Sequence, residues 1–172
     1  MSLYEILIKD DVIKSINENI TEILELIPEL KNLIGFEHKH PHHHLDVWNH
    51  TLLALSKSTI DFDVRLVLLL HDIGKPFSYQ EIDGVRHYNG HSKVSSDMAY
   101  NILKRLGYDE KYIEKICFFI NNHDYPITKK FIKNNYLDAL KLYEIQKCDA
   151  LAHHPDKLEK RKEYLKQISS NL

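Results

Sequence analysis

Apolar side chains recur at three- and four-residue steps along most of this chain, the period of an amphipathic helix. Val12, Ile16, Ile20, Ile23, Leu24 and Ile27 form one such stripe, which Pro28 breaks or restarts. Residues 35–45 (GFEHKHPHHHL) have no period and read as irregular chain. Asp46 is placed to cap a helix through Val47, Leu52, Leu53 and Leu55. Asp61 or Asp63 opens the next helix, with Val64, Leu66, Val67 and Leu70 inward, an end at Gly74 and Pro76 just beyond. From Phe77 to Tyr88 the pattern changes: Tyr79, Ile82, Val85 and Tyr88 flank Asp83-Gly84, a hairpin-turn signal. Helical periodicity returns at about 91–106, 109–122, 136–152 and 156–169, with Gly107 closing the first of these. The sum is an all-α bundle of about six to eight helices with one short β-hairpin. It divides into a helical extension over about 1–35, a core over about 36–155 and a C-terminal helix over about 156–170, all in one domain.

Composition narrows the function. The chain has 172 residues, 43% hydrophobic and 28% charged, the make-up of one globular domain. A formal charge of -2 disfavours an extended nucleic-acid surface. The longest apolar run, around Val67 to Leu70, is far short of a membrane span, and the start MSLYEILIKDD has no signal-peptide pattern, so a cytoplasmic protein is expected. Cys117 and Cys148 are too few for a disulfide framework and are expected to pack as small apolar side chains. Histidine is the exception: there are 12, five of them between His38 and His44.

Polar residues stand where the periodicity asks for burial. His71-Asp72 ends the apolar run LLLHDIGKP. A buried His-Asp pair is costly unless compensated, either by local hydrogen bonds or by a metal ion. His50 lies four residues after Asp46 on one helix face, His91 starts a helix after Gly90, His123-Asp124 repeats the pair after FFINN, and Asp149 sits late in an apolar helix. Four imidazoles and two carboxylates suffice for two metals with positions left for water and substrate. The cluster at 38–44 lies in a loop and is expected to be mostly solvated. One of His42, His43 and His44 lines the pocket, His42 being best placed.

The order His50, His71-Asp72, Asp149 resembles the H…HD…D signature of the HD-domain metal-dependent phosphohydrolases. The segments LLLHDIGKP and KCDALAHHP are similar to that family too, and GHSKVSSDMA and HHHLDVWNHTL are similar to the HD domains appended to bacterial CCA-adding tRNA nucleotidyltransferases. With 172 residues, no nucleotidyltransferase catalytic domain is expected alongside, and the likeness is expected to concern the hydrolase-like module. The resemblance implies His50, His71, Asp72 and Asp149 as a four-ligand core, with His91 and His123 holding a second divalent metal and Asp72 bridging. Iron, manganese, nickel, cobalt or magnesium would serve, and the imidazoles favour a transition metal. It implies hydrolysis of a phosphomonoester or phosphodiester of a nucleotide or similar small phosphate by metal-activated hydroxide. The alternative is a regulatory module that binds metal or nucleotide with little turnover. Lys75 is a candidate for substrate phosphate or a solvated lysine; Lys93 is a weaker candidate of the same kind. Asp124 either orients a ligand imidazole or bonds its own helix end. Arg86 and His87 fall on the hairpin, where exposure is expected.

Overall fold

In a computed structural model that describes residues 1–172, the helical periods become ten α-helices and the Asp83-Gly84 signal becomes a two-stranded hairpin. The all-α class with one small hairpin is as the pattern predicts. There are more helices than six to eight because the N-terminal stripe is divided. A short α1 (Leu3–Leu7) precedes it, and the stripe itself forms α2 (Val12–Glu18) and α3 (Ile20–Leu26), followed by a 3-10 turn at Pro28–Leu33. The break falls at Asn19, whose side chain donates to the Ser15 carbonyl at 2.8 Å and so competes with helix propagation.

Next come α4 (Val47–Ser56) and α5 (Phe62–Leu70). Asp46 caps α4 by accepting from Asn49 N at 2.6 Å, and Asp61 rather than Asp63 caps α5, accepting from Val64 N at 3.1 Å. Strands β1 (Gln80–Ile82) and β2 (Val85–His87) pair antiparallel across Asp83 and Gly84, at φ 51° and 77°. Two consecutive left-handed residues give the turn that suits the twist of a tight hairpin. Then follow α6 (His91–Arg105), α7 (Glu110–Asn122), α8 (Lys129–Asn134), α9 (Tyr136–Leu151) and α10 (Glu159–Asn171).

Helices α4, α5 and α9 pack on one another at the centre, and α7 lies against α5 with α6 behind it. Helices α8 and α10 cover α9, while α1 and α2 close the opposite side against α5 and α4. One continuous apolar core joins them, including Ile6, Ile16, Leu55, Leu68, Phe119 and Ile145. Buried Arg65 pins the N-terminal segment: its Nη1 donates to the carbonyls of Leu7 and Lys9 at 2.6 and 2.7 Å, beyond the end of α1. Cys148 is buried and Cys117 half-buried. No helix is long and apolar enough to cross a membrane.

Candidate metal centre

Five chain segments bring their polar residues to one place. His50 comes from the middle of α4, His71 and Asp72 from the turn after α5, and His91 from the first residue of α6. His123 and Asp124 follow α7, and Asp149 lies in the last turn of α9. Three of these contributions sit at helix C-termini, whose partial negative charge favours a cation. The turn after α5 is tight because Gly74 packs directly on α6, where a Cβ would stand 2.6 Å from Ser95 N. Its φ is -83°, so this glycine serves close approach and not the left-handed helix end its position suggests.

Asp72 is the centre of the arrangement. Its Oδ2 lies 3.2 Å from His71 Nε2 and 3.5 Å from His50 Nε2. Its Oδ1 lies 3.2 Å from His91 Nε2 and 3.8 Å from His123 Nε2. Asp149 Oδ1 completes the first group, 2.8 Å from His50 Nε2 and 3.3 Å from His71 Nε2. Four groups have ligand atoms within 4.8 Å of one another. Two of them, His43, His50, His153 and His123, Asp124, Asp149, lie at the edges, and the two central donor sets are His50, His71, Asp72, Asp149 and Asp72, His91, His123. They share Asp72, one oxygen to each.

The imidazoles are oriented from behind. The Nδ1 atoms of His50, His71, His91 and His123 lie 3.1, 2.6, 2.9 and 2.6 Å from the carbonyls of Ala152, Leu68, Tyr88 and Ile120. A carbonyl only accepts, so each Nδ1 carries the proton and each Nε2 is turned toward the carboxylates. Buried His71 Nε2 and Asp72 Oδ2 have no partner in hydrogen-bond geometry. An inward-facing set of ring nitrogens around two buried carboxylates needs positive charge to be stable.

Protonation tells the same story. Burial pushes His71 down, but the Asp72 and Asp149 carboxylates outweigh it and hold the imidazole well above the usual histidine range. His91 behaves alike: burial is overcome by Asp124 and Asp72, and its pKa rises to about 9. His50 and His123 are pushed down by burial. Without a metal, each donor set therefore keeps one imidazolium, His71 in one and His91 in the other. A divalent cation in each set would satisfy the same demand, so the residues fit two such ions chemically.

The surroundings differ from expectation at several positions. Lys75 is buried, not solvated: its Nζ lies 2.9 Å from Asp72 Oδ2 and donates to His38 Nε2 at 3.1 Å. Lys93 points away, exposed and ion-paired with Asp97 on the outer face of α6, because two residues along a helix from His91 is nearly the opposite side. Asp124 faces the centre from the rim, its Oδ2 3.0 Å from His91 Nε2. His42 lines the cavity as expected, exposed at its mouth, and His43 lines it further in, its ring centroid 4.9 Å from that of His50. The 38–44 cluster is only partly solvated. His38 is buried and stacks on His43 at 3.8 Å, while His42 and His44 are exposed. Burial drives the His38 pKa down to about 2, so that ring is neutral. Buried His153 lies 3.7 Å from Asp149 Oδ1; its i+4 spacing from Asp149 is the sequence signal that could have singled it out. His38 has no such signal, being in a non-periodic loop.

Arg86 leaves the site and secures the hairpin, lying over Phe36 and Tyr79 at 4.6 and 4.5 Å and donating to the Glu37 carbonyl at 2.8 Å. His87 lines a cavity of about 460 Å³ that opens above Asp72 and Lys75.

Among known proteins, the HD domain family model matches residues 42–168. The CC-adding tRNA nucleotidyltransferase of Thermus thermophilus is 30% identical over 120 residues, 64% of this chain and 27% of that protein. The A-adding tRNA nucleotidyltransferase of Deinococcus radiodurans is 31% identical over 104 residues, 56% of this chain and 24% of that protein. The Multifunctional CCA protein of Hahella chejuensis is 27% identical over 139 residues, 78% of this chain and 31% of that protein. The chain thus spans about a quarter to a third of the length of these curated relatives.

Proposed function

The chain belongs to the HD-domain family, and from that premise we propose that it is a metal-dependent phosphohydrolase acting on a phosphomonoester or phosphodiester of a nucleotide or a similarly small phosphate. One observation carries the reading: four Nε2 atoms and two carboxylates converge in two donor sets that share Asp72. His50, His71, Asp72 and Asp149 would hold one divalent ion, and Asp72, His91 and His123 the other. Ions so held would supply Lewis acidity, acidifying water and offsetting charge on phosphoryl oxygens.

The chain's own groups set the stage. The backbone carbonyls behind the four imidazoles keep each ring in one tautomer and one orientation. Lys75, lodged between Asp72 and His38, presents a fixed positive charge on the cavity wall. It would stabilise the phosphoryl oxygens as their charge grows. Asp124 is partly exposed at the rim. Burial would raise its carboxyl, but the His123 and His91 imidazoles hold it well below the usual carboxylate range, so it stands as an ionised acceptor 3.0 Å from His91 Nε2. Tyr88 fixes the wall opposite: its hydroxyl donates to the His38 carbonyl at 2.6 Å.

The test is metal analysis of chain purified without chelators, together with manganese-supplemented assays on a panel of phosphate esters. About two metals per chain and hydrolysis that falls at least 100-fold in Asp72→Ala are expected, a loss of about 2.7 kcal/mol in transition-state stabilisation. Metal bound with uniformly null rates would instead favour the regulatory module. Absence of bound metal would sink the hydrolase reading and leave only a nucleotide-binding module.

A further inference from the structure

We propose that the cavity contains a second anion-binding position at Arg161, which takes a second phosphate group carried by the same small substrate. This inference rests on the phosphohydrolase reading for the first phosphate, at Asp72 and Lys75. Arg161 lines the same cavity as those two residues, reaching it from the first turn of α10. It is half-buried, and no carboxylate or carbonyl of the chain engages its guanidinium. The acidic neighbours are turned elsewhere: Asp156 lies 3.7 Å from His154 Nδ1, and Glu159 lies 3.7 Å from Lys162 Nζ. Lys157 and Lys160 stand beside Arg161 in an adjoining groove that also holds His42, Asp156 and Glu159, so cations outnumber carboxylates there three to two.

The position is anchored. His154 N donates to the His42 carbonyl at 2.7 Å, fastening the histidine loop to the turn that leads into α10. Besides Lys75 and Arg161 the lining is rich in imidazole, with His43 and His153 among it. His38 stacks on His43 at 3.8 Å, and His43 lies against His153 at 4.6 Å. His153 is 4% exposed, and its Nδ1 has no partner; His43 Nδ1 is also buried and unpartnered. These two rings add polar character to the lining, and their ring nitrogens stand with that of His50 within 4.8 Å of one another. Only two of the 16 residues lining the cavity are hydrophobic, so it offers little to a large apolar body. A polar scaffold with an anionic group at each end matches this lining: one phosphate near Lys75, oxygens along the imidazoles, and the second phosphate in the planar fork of Arg161.

The experiment measures binding and hydrolysis separately. Adenosine 5′-monophosphate, adenosine 3′-monophosphate and adenosine 3′,5′-bisphosphate are titrated calorimetrically into the purified chain, with phosphate release followed in parallel. The wild-type chain is expected to bind the bisphosphate at least tenfold tighter than either monophosphate. In Arg161→Gln that preference should shrink to within about twofold, with Arg161→Lys intermediate because it keeps the charge and loses the fork. Equal affinity of the wild type for all three, or a bisphosphate preference that survives Arg161→Gln, overturns the second position. An Arg161-dependent preference without any phosphate release would leave the second position standing and overturn the phosphohydrolase reading.

Discussion

At the scale of single residues, position relative to a neighbour decides function more than residue type does. His42 and His43 are adjacent and chemically identical, yet one is exposed at the mouth and the other packs on His50. Lys75 and Lys93 both follow a histidine of the site, yet one is buried against Asp72 and the other pairs with Asp97 in solvent. Lys75→Met is therefore expected to lower kcat at least tenfold, about 1.4 kcal/mol, in a steady-state assay, whereas Lys93→Met should leave it within twofold. Gly74 gives a stability prediction of the same local kind. Its alanine variant would place a methyl 2.6 Å from a backbone nitrogen of α6. Backbone cannot swing aside as a flexible side chain can, so Gly74→Ala is expected to cost about 2 kcal/mol. For a chain of this length the thermal midpoint would fall by about 4–8 °C. An unchanged midpoint would show that α6 yields at this contact.

At the scale of elements, the site depends on how helix ends are fixed. Asp46 holds the start of α4 through Asn49 N and also accepts from Gly35 N at 3.0 Å, so it ties the histidine loop to the helix that bears His50. Asp46→Ala is expected to destabilise by about 1 kcal/mol in denaturant titration, the usual loss for a missing cap. The packing of α5 on its neighbours carries a pH signature. Asp63 accepts from Tyr112 Oη at 2.8 Å and from Lys115 and Lys141 Nζ at 2.7 Å, linking α5 to α7 and α9. Burial alone would raise its pKa, but these partners outweigh it and bring the group from 3.8 down to about 2. A carboxylate depressed on folding contributes stability above its unfolded pKa and loses it as pH falls through the folded one. Asp63→Asn should thus destabilise by about 1 kcal/mol at neutral pH, a modest value because solvent screens the partly exposed ammonium groups. The difference from wild type should fade between about pH 4 and pH 2.

At the scale of the whole molecule, the fold concentrates unfavourable electrostatics where a cation would relieve them. His71 and His91 are held protonated by the carboxylates beside them, one in each donor set. Metal removal should consequently lower stability in the folded chain itself. Chelator treatment is expected to lower the thermal midpoint of the wild type, the stability lost being about 4 kcal/mol per ion if free metal stood a thousandfold above its Kd. Asp72→Ala, which lacks the shared carboxylate, should respond far less to chelator. An equal response in both would argue that the ions bind elsewhere. The sequence by itself determined the helical class, the cap at Asp46 and the turn at Asp83-Gly84, because each follows from local period or local hydrogen bonding, and it narrowed the α5 cap to Asp61 or Asp63. It also marked His50, His71, Asp72, His91, His123 and Asp149, because polar groups on faces built for burial stand out one at a time. Tertiary structure alone decided that their Nε2 atoms meet around Asp72, which depends on five segments distant in sequence. It also decided that His38, His43 and His153 form one wall and that Arg161 of α10 reaches the same cavity. Loop residues carry no period to announce their facing, and a helix surface does not specify which of its charges the rest of the fold will leave unpaired.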